Sequence, residues 1–233
     1  MDITPESKIG DIAAHHPLAT RVFARHGIDF CCGGGVPLAR VCEKRGLDAP
    51  AVVAEIQQEV SAAPATTDWM SVPLEQLVQH VVATYHEPLH EELPRLEGMA
   101  RKVARVHAER DPEGRLPAIL HTLVKLKEEL EDHMLREEKV LFPMLLSGFS
   151  RAPVQVFIDD HTEAGEALSR LRQLTEDYVP PADACNTWRA LWAGLEALET
   201  DTHQHIHLEN NVLFPRATEV GAGLGGSPRV AVG

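Results

Sequence analysis

The sequence predicts an all-α protein in which an up-down four-helix bundle follows a small helical N-terminal domain. Four long helical patterns follow one another after residue 70, and their short connections make neighbouring helices antiparallel. The valine- and isoleucine-rich alternating runs that strands would need are missing from the sequence. One motif of His, Glu and Leu-Phe-Pro occurs twice at the same spacing, on the second and the fourth pattern.

The first 60 residues contain three short amphipathic stretches. They are predicted to be helices at 17–25, 37–45 and 50–60, and the first two are followed by glycines suited to a helix C-terminus, Gly27 and Gly46. Residues 61–68 are Ser-Ala-Ala-Pro-Ala-Thr-Thr-Asp, a composition typical of a linker. We therefore place a small helical domain at residues 1–64 and the bundle at residues 65–220.

The bundle helices are predicted at 73–108, 117–146, 153–178 and 181–218. Proline opens the last three, as the first turn of a helix allows. The first contains Pro88 and Pro94, so a kink is expected there. Residues 221–233 are rich in glycine and are predicted to form a disordered tail.

Composition excludes several classes of protein. The chain has 233 residues, 44% of them hydrophobic, and its formal net charge of −13 argues against a general binder of nucleic acids or anionic membranes. No apolar run approaches the ~20 residues of a membrane helix. The first residues lack the basic and apolar segments of a secretion signal, so we expect a cytoplasmic protein. Its four cysteines should then be free, reactive or metal-binding thiols.

The repeated motif carries the candidate metal site. Its copies are His133-Met-Leu-Arg-Glu137 followed by Leu141-Phe142-Pro143, and His205-Ile-His-Leu-Glu209 followed by Leu213-Phe214-Pro215. Residues four apart lie on one helix face, so each copy directs an imidazole and a carboxylate to the same place. A single His-x-x-x-Glu is more often a solvated surface pair. Two copies in one register, each followed by apolar residues, favour two halves of one site.

The other two helices should complete this site with lone histidines. The third helix offers only His161, which precedes His205 by 44 residues. In the first helix, His86 precedes His133 by 47 residues and His90 precedes it by 43, so spacing alone leaves both open. Three further histidines are expected at the surface or core edge without metal: His80, His107 and His121.

Four histidines and two glutamates indicate a pair of iron ions. Imidazoles and carboxylates without thiolates do not suit a structural zinc site. Two carboxylates from opposite helices can bridge two metals. With an added oxide or hydroxide bridge, each ion keeps one open position for oxygen, nitric oxide or peroxide. The order is His-then-Glu, whereas ferritin-type di-iron proteins use Glu-x-x-His. We expect about two irons per chain and little zinc.

A competing pattern, His-Glu-Pro-Leu-His, spans His86 to His90 and matches the H-E-x-x-H signature of zinc proteases. That signature needs a regular helix. Pro88 lacks a backbone donor and clashes with the carbonyl of Thr84, which disfavours this interpretation. His203 and His207 also lie four residues apart, but the repeat register selects His205.

Two adjacent cysteines, Cys31 and Cys32, precede three glycines and the helix predicted from Pro37. Neighbouring cysteines rarely form a disulfide with each other because the geometry is strained. A thiol near a helix N-terminus loses its proton more easily, which predicts a reactive pair. We interpret the pair as a site for thiol redox chemistry or for delivery and capture of iron. The alternative is two small buried residues at a tight turn.

The Asp-Phe-Cys-Cys-Gly-Gly segment from Asp29, the short helical domain and the paired His-x-x-x-Glu motifs resemble the iron–sulfur cluster repair di-iron proteins of the RIC (ScdA/YtfE) type, which have a hemerythrin-like bundle. The resemblance covers about Gly10 to Ala217 and is specific at Leu-Glu-Asn-Asn-Val-Leu-Phe-Pro, residues 208–215. It supports His86, which follows a tyrosine. The implied iron ligands are His86, His133, Glu137, His161, His205 and Glu209; the implied thiols are Cys31 and Cys32; and Glu129 is implied as an outer or iron-exit group.

The resemblance also implies a function. It is the repair of iron–sulfur clusters damaged by nitric oxide or peroxide in a stress response, through iron donation, with nitric oxide reduction at the iron pair as a further activity. Damaged iron–sulfur proteins would be the partners, nitric oxide or oxygen the small ligands, and a homodimer is allowed; no nucleic acid or membrane partner is expected.

Two alternatives stay open. One is a hemerythrin-like protein that binds or senses oxygen or nitric oxide, for which His90, His203 or His207 would supply a fifth histidine. The other is a thiol-based redox or scaffold protein whose bundle is structural.

Overall fold

The computed structural model describes residues 1–61, 67–111, 113–149 and 152–224. Within these ranges the chain is helical and has no β-strand; the strand-like pairing found there is an isolated antiparallel bridge between Lys8 and Pro37. The predicted all-α fold class is therefore confirmed. None of the described helices is long and apolar enough to cross a membrane.

Four short helices form the N-terminal part: α1 (Ile9–His15), α2 (Ala19–Arg25), α3 (Leu38–Arg45) and α4 (Ala49–Ser61). The sequence-based boundaries of α2 to α4 agree with these to within two residues, whereas α1 was not predicted. Ile9, Ile12 and Ala13 bury one face of α1, and their spacing of three and four residues is a helical signal. Gly46 ends α3 with a φ of 68°, the left-handed conformation that glycine adopts without strain.

The bundle is built from four helical stretches. They are α5 (Leu74–Val81) with α6 (Glu87–Val106), α7 (Arg115–Arg136) with α8 (Phe142–Leu146), α9 (Val154–Leu174), and α10 (Asn186–Leu208) with α11 (Phe214–Leu224). Three π-helical segments join the paired helices. They are Val82–His86, Glu137–Leu141 and Glu209–Leu213.

Three predicted helix ends are wrong. The fourth bundle helix continues to Leu224 instead of ending at 218, and the other two lie at the connection between α9 and α10. α9 ends four residues early, because residues 176–178 all have positive φ, of 53°, 57° and 59°. α10 begins five residues late. Before it, the guanidinium of Arg189 donates hydrogen bonds to the carbonyls of Ala182 and Ala184, which holds this segment as a turn.

Each π segment lies just before a proline, at the second position after the segment: Pro88, Pro143 and Pro215. A proline has no backbone N–H, and its ring clashes with the carbonyl four residues earlier. That earlier residue is the middle residue of the π segment in all three cases, so the wider turn takes up the conflict. The helix distortion expected at Pro88 is therefore a π-helical turn. Pro94 lies inside α6 without a π segment, so a proline permits the wider turn but does not require it.

The described residues group into two compact units. The first comprises the described parts of Met1–Gln79, Glu138–Val154 and Ile206–Gly233, and its fully buried side chains include Ile12, Phe23 and Leu38. The second comprises His80–Glu137 and Gln155–His205, and its fully buried side chains include Leu93, Leu123 and Met134. Apolar faces of the helices thus supply the core in both units.

The predicted domain boundaries at residues 64 and 220 stay predictions. Most of the predicted linker, residues 62–66, and most of the predicted tail, residues 225–233, lie outside the described residues. Residues 221–224, which the sequence analysis assigns to the tail, form the end of α11.

Candidate metal centre

The six candidate ligands are buried and close together. They are His86, His133, Glu137, His161, His205 and Glu209, and no more than 2% of the surface of each is exposed. Their ligand atoms form two groups, and within each group all atoms lie within 4.8 Å of one another. One group contains His86 and His205, the other contains His133 and His161, and both contain Glu137 and Glu209. The structure therefore brings together all six residues that the sequence singled out.

In each group two imidazoles face each other through Nε2. The distance between the Nε2 atoms is 3.0 Å for His86 and His205 and 2.9 Å for His133 and His161. Two nitrogens bound to one metal at about 2.1 Å and at right angles would be ~3.0 Å apart. The spacing thus fits one ion for each pair, although a hydrogen bond between one protonated and one unprotonated nitrogen gives a similar distance.

Each histidine pair joins a residue from the first two bundle helices to a residue from the last two. Spacing along the chain associates His161 with His205 and His86 with His133, whereas the structure pairs His86 with His205 and His161 with His133. In an up-down bundle the first helix neighbours the last, so a lone histidine can complete the motif of the other half. Of the two first-helix histidines that spacing left open, His86 is buried and belongs to a group, and His90 is exposed.

The Glu137 carboxylate gives the clearest indication of a bound cation. Both of its oxygens are buried and accept no hydrogen bond from the described residues. Its Oε2 lies 3.5 Å from Nε2 of His86 and 3.3 Å from Nε2 of His133. An ionised carboxylate is costly to bury unless a positive charge compensates it. Divalent cations held by the imidazoles would supply that charge, and a nitrogen and oxygen donor set of this kind suits iron.

Neighbouring side chains orient two of the imidazoles. Asp160 Oδ2 lies 3.2 Å from Nδ1 of His133 and accepts a 2.8 Å hydrogen bond from Arg136. Burial alone would raise the pKa of Asp160, but its hydrogen bonds to His133 and Arg136 lower it below the ordinary value. The carboxylate therefore stays charged and favours the His133 tautomer whose Nε2 is free to bind a metal. Tyr85 stacks on His205 with ring centroids 5.5 Å apart.

Replacing Asp160 with asparagine is expected to weaken metal binding about 10- to 100-fold, because His133 would lose the charged group that orients its ring. Competition with a chelator of known affinity measures this change. Asp159→Asn is the matched control, since Asp159 is the exposed neighbour on the same helix and should bind metal normally. Equal affinities for the two variants would show that Asp160 does not position His133.

A cavity of about 250 Å³ opens beside His133 and His161. Most of its polar lining is acidic: Glu128, Glu129, Asp132, Asp160 and Glu163. Glu129, the group that the resemblance implied, pairs with Lys125 at 3.0 Å and belongs to neither ligand group. An acidic lining raises the local concentration of cations at the mouth of the cavity.

The other histidines of the bundle belong to neither group among the described residues. His90 and His121 are exposed, and His80 and His203 are half-buried. His107 is buried, and its Nε2 lies 3.3 Å from the sulfur of Cys185.

Cys31 and Cys32 lie in a turn that Asp29 organises. Asp29 Oδ1 accepts hydrogen bonds from the backbone N–H groups of Cys31 (3.1 Å) and Cys32 (2.9 Å) and from the Cys31 thiol (3.2 Å). The hydrogen bond to Cys32, burial and the Asp29 charge raise the pKa of Cys31 well above its ordinary value. The predicted easy loss of a proton is therefore wrong for Cys31, because burial beside a carboxylate disfavours the thiolate.

Asn211 holds this turn, a role that the sequence analysis did not identify. Its Nδ2 donates hydrogen bonds to the carbonyls of Phe30 (3.3 Å) and Cys31 (3.1 Å). Its Oδ1 packs so closely that a Cβ added to Gly10 or Gly34 would lie 2.3 Å from it. Both glycines are therefore needed for the close approach of this side chain.

The second copy of the motif departs from the first where it meets this turn. It has Asn210-Asn211 where the first copy has Glu138-Lys139, a difference that could have pointed to a separate role. His207, one turn before Asn211, packs against the Phe30 ring with centroids 5.6 Å apart. Burial lowers the pKa of His207 to about 4.

Comparison with known families and proteins gives matches along most of the chain. Residues 77–217 match the family model described as Hemerythrin HHE cation binding domain, and residues 5–60 match ScdA_N, described as a domain of unknown function (DUF542). The chain is 40% identical over 217 residues to the iron–sulfur cluster repair protein YtfE of Musicola paradisiaca (strain Ech703), which covers 91% of this chain and 96% of that protein. It is 39% identical, with the same coverage, to the proteins of that name from Escherichia coli O1:K1 / APEC and Escherichia fergusonii.

Proposed function

Because this chain belongs to the family of YtfE-type iron–sulfur cluster repair proteins and contains a hemerythrin HHE cation-binding domain, we propose that it repairs iron–sulfur clusters damaged by nitrosative or oxidative stress. It would use two non-haem iron ions bridged by the two glutamates and by an oxide or hydroxide. Iron donation is the main activity that we propose, and nitric oxide reduction at the iron pair is a further one. The proposed ligands are His86, His133, Glu137, His161, His205 and Glu209.

The observation that carries this proposal is that both ligand groups contain Glu137 and Glu209. Each ion would have two neutral imidazoles of its own and would share its carboxylates with the other ion. When one ion leaves, the carboxylates stay satisfied by the ion that remains. A shared site of this kind is suited to giving up one iron without losing both.

The acidic cavity supports a path for that iron. It reaches His133 and His161, so the ion held by this pair would be the labile one. The carboxylates of Glu129 and Glu163 line the cavity and could take up a partly hydrated cation on its way out. We therefore assign Glu129, together with Glu163, to the exit path rather than to the ligand set.

The double variant Glu129→Gln, Glu163→Gln is expected to release iron to a chelator about three- to tenfold more slowly at low ionic strength, with the same number of ions bound at the start. Stopped-flow mixing with a coloured ferrous chelator measures the rate. Glu166→Gln is the control, because Glu166 is exposed on the same helix as Glu163 and does not line the cavity. An unchanged rate in the double variant would remove the acidic cavity from the path.

The donation itself can be tested with a purified enzyme whose iron–sulfur cluster has been damaged by nitric oxide. Iron-loaded protein is added without oxygen, and the activity of the damaged enzyme is followed over time. We expect more recovery than an equal amount of free ferrous iron gives. Glu137→Gln protein should not exceed free iron, and Glu138→Gln protein should behave as the wild type. Recovery no better than with free iron would end the donation proposal.

A reversible oxygen- or nitric oxide-binding protein is the alternative function. An oxygen carrier of the hemerythrin type would need a fifth histidine ligand, for which the candidates are His90, His203 and His207. Of these, His90 is exposed and His203 is half-buried. Exposing the reduced, iron-loaded protein to oxygen discriminates the two functions. A charge-transfer band that disappears when the gas is removed would favour a carrier, whereas irreversible oxidation favours repair.

We propose a cytoplasmic location, in line with the finding that Cys31, Cys32, Cys42 and Cys185 are free thiols. The partners in this proposal are damaged iron–sulfur proteins, with nitric oxide or oxygen as small ligands. Cys31 and Cys32 form its thiol site. A homodimer is compatible with it.

A further inference from the structure

The turn at Asp29 places three potential metal ligands together in addition to those of the bundle. One ligand atom each from Asp29, Cys31 and Cys32 lies within 4.8 Å of the other two. The two sulfurs are 3.6 Å apart, and Oδ1 of Asp29 is 3.2 Å from the sulfur of Cys31. Asp29 is exposed, Cys32 is half-buried and Cys31 is buried, so an ion could enter from solvent and finish in a partly enclosed position.

These distances are close to those of a tetrahedral metal site. With metal–sulfur bonds of about 2.3 Å and metal–oxygen bonds of about 2.0 Å, two sulfurs would be ~3.8 Å apart and a sulfur and an oxygen ~3.5 Å apart. The observed distances of 3.6 and 3.2 Å lie within about 0.3 Å of these values. The backbone is also fixed, because Asp29 binds the N–H groups of both cysteines and Asn211 binds the carbonyl of Cys31. Little rearrangement is therefore needed to enclose an ion.

We propose that Asp29, Cys31 and Cys32 form a mononuclear site for a borderline divalent cation such as ferrous iron or zinc, with a fourth position open to water or to a ligand from a partner. Two soft thiolates and one hard carboxylate suit such a cation better than Cu(I), which prefers sulfur alone. On binding, each thiol exchanges its S–H bond for a metal–sulfur bond and gives its proton to solvent. No electron is transferred, and the filled site keeps one net negative charge.

Both sulfurs must lose their protons to bind the metal, so protons compete with the cation at this site. Binding should therefore release protons to solvent, and the affinity should rise with pH. The site uses residues of the first unit alone, so it does not depend on the iron pair or on cluster repair.

Cobalt(II) is a suitable probe, because thiolate ligation gives a near-ultraviolet sulfur-to-cobalt charge-transfer band that histidine and glutamate ligands cannot give. Titrating the reduced full-length protein with cobalt should produce this band, saturating at about one ion per chain, together with the visible bands of tetrahedral cobalt. The double variant Cys31→Ser, Cys32→Ser should lose the charge-transfer band and bind one ion fewer. Its bundle should still load iron normally, which shows that the variant is folded.

Asp29→Asn separates the ligand role of Asp29 from its structural role. Asparagine can still accept the two backbone hydrogen bonds of the turn but offers no negative oxygen to the metal. Loss of a direct ligand should weaken cobalt binding about tenfold or more, since even outer partners of metal ligands are worth 10- to 100-fold. Cys185→Ser, which changes an exposed thiol elsewhere, should leave the band unchanged.

Three outcomes would overturn the proposal. They are the absence of a charge-transfer band, a band that survives in the Cys31→Ser, Cys32→Ser variant, and a band that saturates at half an ion per chain, which would mean that two chains share the metal. In the first case the short distances would reflect thiol hydrogen bonds only. None of these results would bear on the iron pair, because iron loading of the bundle is measured separately.

Discussion

Protein with Glu137→Gln is expected to bind about one iron per chain or fewer, where the wild type binds about two. The amide removes a negative oxygen that both ligand groups share, so both ions are affected by one substitution. In the metal-free protein, by contrast, the same substitution should be stabilising. Its free energy of unfolding should rise by about 1 kcal/mol or more, because a buried carboxylate without a compensating cation is replaced by a neutral group of the same size.

Metal analysis after loading with ferrous iron, together with denaturant unfolding of the metal-free forms, measures both effects. Glu138→Gln is the matched control, since it makes the same chemical change at the next residue, which belongs to neither group. His121→Ala changes an exposed histidine on the same helix and should also bind normal amounts of iron. A metal-free Glu137→Gln protein that is less stable than the wild type would show that the carboxylate has a favourable partner other than a metal.

A second large effect is expected at Gly34. The Cβ of Gly34→Ala would lie 2.3 Å from Oδ1 of Asn211, which is closer than atoms can approach, so the asparagine must move and its hydrogen bonds to Phe30 and Cys31 are lost. We expect the first unit to lose about 1–3 kcal/mol of stability. Hydrogen exchange of the backbone at Cys31 and Cys32 should become faster in the same variant.

The adjacent glycine provides the control. A Cβ at Gly35 would meet no atom within 4 Å, so Gly35→Ala should change stability by less than about 0.5 kcal/mol. Combining Gly34→Ala with Asn211→Ala should cost less than the sum of the two single changes, with a coupling of about 1 kcal/mol or more. Additive effects would mean that Asn211 and Gly34 do not act through the contact between them.

The helices and the candidate ligands could be predicted because their signals are local. Prolines and glycines mark the helix ends at Pro37 and Gly46, and the spacing from His133 to Glu137 places both on one face whatever the tertiary structure is. The second copy at His205 then makes a chance pattern improbable. α1 is short and contains Gly10, a poor helix former, so its local sequence signal is weak.

Other features depend on contacts between distant parts of the chain. The pairing of His86 with His205 requires knowledge of which helices are neighbours. The role of Asn211 appears only once Gly10 and Gly34 are brought together around its side chain. The high pKa of Cys31 comes from its hydrogen bond to Cys32, its burial and the charge of Asp29, whereas the sequence shows only that a helix N-terminus lies nearby.

The π segments matter for any attempt to transplant this site into a designed scaffold. An α-helix turns by about 100° per residue, so one extra residue in a turn rotates everything that follows by about that angle. On a straight ideal helix, His133 and Glu137 would keep their spacing, but Phe142 and Leu145 would leave the core positions in which they are buried. A graft therefore has to include the wide turn and its proline.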